Sequence, residues 1–357
     1  NNEVEQGGDE LVTTKAPADP DAAPVTVFKP ADDRVIVTKP SDTYAQYNFV
    51  RAEALMAQLS ADRDSQYAQR CRKAAEACWK WTMQNRSTDM AGHCGTAILA
   101  GVELYRATGE KRYKKRTIAL ARKLLDLQVN GEVGENPSIT GFFHKRAGSK
   151  SPYRDIMHGR TPFLALCALG AAFPEHSDAE EWKTAVRRYA RGYLLPLSLQ
   201  NCFGLVPLGL YTGKDPGGRR VGSFWYRYFM RPNGWWVGIN SHVAAAGVGL
   251  TEAARLTGDD ELRGLAQRQL DWILGLNTLQ SSTVVGVGHN HPDIFVNSGE
   301  FEPPTPRIHG AVMNGLGGNK KDQPVKMDGS YHTAEYWTPM VGHTAWLLAA
   351  LGHERSF

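Results

Sequence analysis

From Ser41 onward the apolar residues recur at three- and four-residue spacing, the repeat of amphipathic helices, and the repeat is broken by short polar joints. The pattern predicts helices over about 42–59 and 64–84, about 91–108 and 110–129, about 159–173 and 178–194, about 240–257 and 259–275, and a last one over about 335–352. Most fall in pairs, and each pair reads as a helical hairpin. At two joints, Thr108-Gly109-Glu110 and Thr257-Gly258-Asp259-Asp260, a glycine ends one helix and acidic residues open the next. No stretch shows convincing strand alternation. Residues 1 to about 40 are rich in Pro, Ala and Asp without apolar periodicity, which describes an extended or disordered arm ahead of a helical domain over 41–357.

The joints between hairpins are uneven. Three of them, about 130–158, 199–239 and 277–334, are far longer than a connection inside a compact domain requires, and loops of that size usually carry function. An all-α toroid of hairpins with its long loops on one face fits this spacing better than a bundle. The second loop holds Phe224-Trp225-Tyr226-Arg227-Tyr228-Phe229 and then Trp235-Trp236, an aromatic density well above the 10% of the whole chain. The third holds His289-Asn290-His291, Arg307, His309 and Tyr331 and runs into Glu335.

Composition narrows the chemistry. At 357 residues with 42% apolar residues, the chain has material for one large core or two ordinary ones. The formal charge of +4 is small for the length, and the basic residues are scattered, so nucleic acid is not an expected partner. No apolar run is long enough for a membrane span, and the N-terminus lacks the pattern of a signal peptide. Cys71, Cys78, Cys94, Cys167 and Cys202 form no CxxC pair, so neither a zinc ribbon nor a dense disulfide framework is indicated. There is no Gly-x-Ser-x-Gly elbow, and Gly315-Leu316-Gly317-Gly318 neither follows a strand nor opens a helix, which removes serine hydrolysis and nucleotide binding.

The segment Leu265–Asn277 (LAQRQLDWILGLN), then Gly286-Val287-Gly288 and GAVMNGLGGN at 310–319, resembles the C-terminal signature of family 9 glycoside hydrolases. Asp328-Gly329-Ser330-Tyr331-His332-Thr333-Ala334-Glu335 is similar to that family's last motif, in which a carboxylic acid at the start of the final helix protonates the leaving sugar. Upstream, Trp236-Val237-Gly238-Ile239-Asn240-Ser241 and Leu256-Thr257-Gly258-Asp259 are similar to its Trp-Gly-x-Asn-Ser and Leu-Thr-Gly-Asp hairpin. The resemblance implies an (α/α)6 barrel of twelve helices, Glu335 as general acid, no cofactor, and a secreted or periplasmic hydrolase of β-linked glycans acting with inversion. Its partner is then an oligosaccharide or polysaccharide.

The chain departs from the family's pattern in ways that shape the expectation. The Asp-Ala-Gly-Asp motif that carries the family's general base is absent, and the predicted helices fall short of twelve. Both are accounted for if the ring is incomplete here and a missing N-terminal segment, carried on a separate chain of the same protein, completes it and supplies the base. His289-Asn290-His291-Pro292 stands in place of a Pro-rich His-His-Arg stretch, and Ala334 stands where Asn is usual, so plain cellulose is not the expected substrate.

Glycoside cleavage needs one carboxylic acid to protonate the leaving oxygen and a second carboxylate, roughly 6.5–9.5 Å away in inverting enzymes, to activate water. Asp155, in a loop beside His158 and Arg160, is the best substitute for the second within this chain, although a helix N-terminal charge is the plainer reading. Sugar rings lie on aromatic faces, which makes Trp225, Tyr226, Trp235 and Trp236 candidate platforms, about half of them expected to be core instead. His158, Arg160, His289, His291, Arg307 and Tyr331 are candidates for hydroxyl contacts; the His289/His291 spacing matches no recognised zinc site, and no metal is assigned. The basic run Lys111-Arg112-Tyr113-Lys114-Lys115-Arg116 reads as a solvated helix face. Two rivals stay open: a polysaccharide lyase on a similar toroid, using Tyr331 with His289 or His291, and a glycan-binding protein without turnover.

Overall fold

The computed structural model describes residues 4–5, 35–36, 42–154, 159–231, 238–295 and 307–353. Helix α1 (Thr43–Ser60) pairs with α2 (Ser65–Asn85), α3 (Ala91–Thr108) with α4 (Lys111–Leu125), α5 (Thr161–Ala172) with α6 (Ala179–Tyr189), and α8 (Asn240–Thr257) with α9 (Asp260–Ile273). A π-turn and the short α7 (Leu195–Ser198) extend α6; the four-residue α10 (Tyr331–Ala334) precedes the last helix, α11 (Thr338–Gly352). The predicted hairpins are therefore present with their joints in place. Gly109 and Gly258, each at φ 69°, close α3 and α8 in the left-handed conformation that glycine adopts freely. Asp42 and Asp64 cap α1 and α2 by accepting the backbone N–H of Ala45 and Tyr67, both at 2.9 Å.

Two kinds of helix build two layers. α3, α5 and α8 are apolar or small on nearly every side and are buried almost throughout, whereas α2, α4, α6 and α9 bury one stripe and turn charged residues outward. Each inner helix packs on the next, α1 on α3, α3 on α5, α5 on α8 and α8 on α11, with the outer helices against them. Their N-terminal ends meet at one end of the toroid. The Tyr44 ring lies 4.7 Å from His93, Thr161 Oγ1 donates to the Gly92 carbonyl at 3.1 Å, Arg160 lies 2.8 Å from His242 Nε2, and Ser241 Oγ lies 2.9 Å from His343 Nδ1. This is an arc of the (α/α) hairpin toroid that the helix pattern predicts.

Apolar side chains are exposed along α1 and α11 among the described residues. α1 buries Thr43, Tyr47, Val50, Ala54 and Ala57 on one face but exposes Phe49, Leu55, Met56 and Leu59. α11 is as apolar as an inner helix, yet Val341 and Leu348 are exposed. Arg51 of α1 meets Trp346 of α11, its guanidinium carbon 5.0 Å from the ring centroid.

Strands do occur, against expectation, but they are short. β1 (Val4–Glu5) pairs with β2 (Val35–Ile36); β3 (Leu210–Tyr211), β4 (Arg219–Val221) and β5 (Phe224–Tyr226) form an antiparallel sheet in the order β3-β5-β4 inside the second long loop; β6 (Gly317–Gly318) pairs with β7 (Pro324–Val325) in the third. Strands this short carry too few alternations for a period-two signal. All five cysteines are free, and no helix among the described residues is long and apolar enough to cross a membrane.

Adjacent residues of α11 test this exposure. Leu347 has no accessible surface and Leu348 is 50% exposed. Leu347→Ala is expected to cost about 2–5 kcal/mol and Leu348→Ala no more than about 0.5 kcal/mol in urea unfolding of this chain.

Candidate active site

Glu335 is not in the first turn of the last helix, as the sequence pattern predicts, but ahead of it. Pro339 accounts for the difference: were the helix to begin at 335, the Pro339 ring would meet the Glu335 carbonyl four residues back. Pro339 instead lies in the first turn of α11, and Glu335 adopts an extended conformation, φ −71° and ψ 146°, at the end of α10. Its carbonyl accepts the Asn314 N–H at 2.9 Å, Tyr336 bridges to Met313, and the Gly315 N–H donates to the Thr333 carbonyl at 3.1 Å. The half-buried carboxylate lies with Oε2 3.5 Å from Asn314 Nδ2.

This pairing is anchored to the start of α8. Asn240 is fully buried; its N–H donates to the Asn314 carbonyl at 3.0 Å, and its amide donates to Thr283 Oγ1 at 2.8 Å and to the Met313 carbonyl at 3.0 Å. Gly315, at φ 100°, brings its backbone so close to Asn240 that a Cβ would sit 2.3 Å from the amide oxygen. Beneath Glu335, Ala334 packs with Val285, Ala311 and Met313 in a small satellite core edged by Phe295 and Tyr336. A small residue before the acid is thus a packing requirement here.

The third loop wraps the same place. His289 and Arg307 are exposed, and His291 is half-buried with Nδ1 donating to the Ser282 carbonyl at 3.1 Å. The Asp293 N–H donates to Asp328 Oδ1 at 3.0 Å and the Gly329 N–H returns a bond to the Asp293 carbonyl at 3.1 Å, which ties the histidine loop to the turn entering α10. Tyr331 is 40% exposed, with its ring centroid 3.9 Å from that of His332. Burial lowers the pKa of His332, whose Nδ1 lies 2.9 Å from Ser330 Oγ. The structure therefore brings Glu335, Tyr331 and the His289–His291 loop into one neighbourhood.

The other predicted residues divide. Trp225 is half-buried on β5, facing Arg220 and Tyr211 across the sheet, whereas Tyr226 is buried and belongs to the core. Trp235, Trp236, His158 and Asp155 lie outside the described residues. Arg160 is 4% exposed, at φ 54°, and its guanidinium meets Tyr189 Oη at 3.0 Å, His242 and the Pro207 carbonyl. That places it in the wall between α5 and α8, a structural post where a hydroxyl contact is the expectation from sequence. Residues that the sequence reading leaves unmarked are Asn240, Asn314, His332 and His343; the first three were legible only as members of matched motifs.

The second loop is held by a charged knot. Asp215 accepts from Arg227 Nη1 at 3.1 Å, from Arg231 at 2.9 Å and from the Tyr211 hydroxyl at 2.5 Å, and Asp322 accepts the N–H groups of Tyr228 and Phe229 at 3.1 and 3.0 Å. Arg227 also donates to the Asn319 carbonyl at 2.6 Å, which joins this loop to the strand leading from Gly315. Burial opposes the Asp215 charge, but the bonds from Tyr211, Arg231 and Arg227 outweigh it and hold the carboxyl well below the usual carboxylate range.

An inner layer of helices with its described N-termini gathered at one end, and the Glu335 carboxylate held beside the start of α8, defines a helical-hairpin scaffold. Sequence comparison carries this further: the profile of glycosyl hydrolase family 9 matches residues 18–340, and the chain belongs to that family. The match begins inside the stretch read as an arm. Solved structures agree in fold: the cellulase Cel9M of C. cellulolyticum is 16% identical with a TM-score of 0.60, covering 94% of this chain and 69% of its own. The endoglucanase of the termite Nasutitermes takasagoensis is 20% identical at 0.56, covering 90% and 70%, and a family 9 protein of Bacteroides ovatus is 19% identical at 0.59, covering 90% and 55%. The chain thus spans between about half and 70% of these relatives. No curated protein sequence matches it.

The Asp215 knot makes a stability prediction. Asp215→Asn leaves the buried Arg227 with Asp322, at 3.6 Å, as its remaining acidic partner and is expected to cost at most about 3 kcal/mol in denaturant unfolding at neutral pH. Because the folded carboxyl titrates below its unfolded value, the contribution is complete above about pH 4, the unfolded aspartate pKa, and is lost as pH falls through the lower folded value. The difference between wild type and variant should therefore be constant from pH 7 to about 5 and shrink below it; a difference that grows on acidification contradicts the assignment.

Proposed function

We propose that this chain is the larger part of an inverting hydrolase of β-linked glycans in which Glu335 is the general acid. The observation that carries the reading is the placement of Glu335: a half-buried carboxyl on an extended segment, its backbone fixed to residues 313–315 and its Oε2 facing Asn314, beside the start of α8. In the reaction, the protonated Glu335 carboxyl gives its proton to the glycosidic oxygen as the C1–O bond breaks. Water attacks C1 from the opposite face and passes a proton to a second carboxylate. Trp225, the exposed Tyr331 ring, His289, His291 and Arg307 supply stacking and hydroxyl contacts along the bound glycan.

The second carboxylate belongs, in this reading, to a helical segment of the same protein that fills the edge between α1 and α11, as a separate N-terminal chain. Phe49, Met56, Leu59, Val341 and Leu348 support this, because they expose on inner-type helices the kind of surface that elsewhere in the arc is covered by the next helix. Membership of a glycoside hydrolase family and a polymeric substrate support a location outside the cytoplasm, secreted or periplasmic.

Hydrolysis of a panel of mixed β-glycans by the native material and by Glu335→Gln tests the proposal. Loss of the general acid is expected to lower kcat by about 10²–10⁴-fold, and proton NMR of the first product should show the α-anomer from a β-linked substrate. Intact mass under denaturing conditions should reveal a second polypeptide. Activity that survives Glu335→Gln contradicts the assignment; a product with ultraviolet absorbance from an unsaturated ring establishes the lyase chemistry instead.

A further inference from the structure

A concavity of about 650 Å³ lies mainly within the second long loop and is not lined by Glu335. Its wall is formed by Arg154, Tyr211, Lys214, Arg227, Phe229 and Arg231. No carboxylate lines it among the described residues. Asp215 lies beneath, and its charge is already shared between Arg227 at 3.1 Å and Arg231 at 2.9 Å. Arg227 is spent further on the Asn319 carbonyl. Arg154 and Lys214 are exposed at the rim, and the Arg154 guanidinium carbon lies 5.5 Å from the Tyr211 ring centroid. Among the described residues the surround therefore carries an excess of positive charge, from a planar guanidinium and a point ammonium, next to the half-buried Tyr211.

The concavity is connected to the Glu335 site by a short stretch of backbone. Arg227 holds Asn319 and a Cβ on Gly318 would stand 2.4 Å from the Phe229 Cβ, so the wall of the concavity rests on 318–319. Asn314, beside Glu335, is four residues before Gly318, which limits that separation along the chain to at most about 14 Å. One bound chain of sugars can engage both places.

We propose that this concavity is a subsite for an acidic sugar, so that the preferred substrate is a β-linked glycan bearing carboxylate or sulfate groups. The inference rests on the glycan-hydrolase reading above and specifies its substrate class. The exposed Arg154 and Lys214, with Arg231 beside them, receive the anion, with guanidinium forks suited to a planar carboxylate.

Affinity electrophoresis of the native protein tests this without requiring turnover, using carboxymethyl-β-glucan, sulfated β-glucan and neutral hydroxyethyl-β-glucan in the gel. Wild type is expected to bind an anionic polymer about 10-fold more tightly than the neutral one, with the advantage declining as salt is raised. Arg154→Gln with Lys214→Gln should remove the advantage; Lys214→Gln alone, at an exposed loop position, should remove part of it and serves if the double variant misfolds. Lys114→Gln with Lys115→Gln, on the outer helix α4, should leave it intact. A stronger response to the carboxymethyl polymer identifies a uronate, and to the sulfated polymer a sulfate ester. No anionic advantage in wild type, or one that survives the loop variants or vanishes with the α4 pair, overturns the subsite. A protein that shows the advantage but hydrolyses nothing overturns the hydrolase reading and leaves the subsite standing; hydrolysis of neutral and anionic polymers alike does the reverse.

Discussion

Asn240 is the hinge on which the site depends. It is fully buried at the first turn of α8, and it bonds the backbone of residues 313 and 314 with both its amide and its N–H. Those residues in turn bond the backbone on either side of Glu335. The Glu335 carboxylate is therefore referred to the inner wall through backbone hydrogen bonds, although it sits at the end of a long loop. Each of these buried bonds is worth about 1 kcal/mol net; their larger effect is positional, since a catalytic group must be held within a fraction of an ångström of its working geometry.

The two-layer arc explains why such a wall exists. Helices with small or apolar residues on all sides, such as α3 and α8, are stable only with neighbours on every flank, and amphipathic helices supply one flank each. At α1 and α11, apolar side chains stand exposed among the described residues. The same construction gathers the described inner N-termini at one end, beside the loop that carries Glu335. The knot of Asp215, Arg227 and Asp322 then couples the second loop to the third, so that neither loop is positioned alone.

Much of this was legible in the sequence, for physical reasons. Long helices announce themselves through repeated spacing, and Gly109 and Gly258 marked their ends by the one backbone conformation that glycine accepts readily. Glu335 could be found because a motif surrounded it, but its local structure was misjudged: apolar periodicity continues through Pro339, and the proline's clash with position 335 had to be considered to end the helix. Arg160 looked like a surface contact beside a histidine, whereas its partners Tyr189, Pro207 and His242 come from distant elements that one-dimensional spacing cannot bring together. The sheet in the second loop and the Asp215 knot were illegible for the same reason.

The most direct test of the central claim is the leaving-group dependence of Glu335→Gln. A general acid matters only when the departing oxygen needs a proton, so the account predicts a loss of about 10²–10⁴-fold on a natural β-glycan and little loss on the matching 2,4-dinitrophenyl glycoside. Equal losses on both substrates, or none on either, would contradict the role of Glu335 as the proton donor.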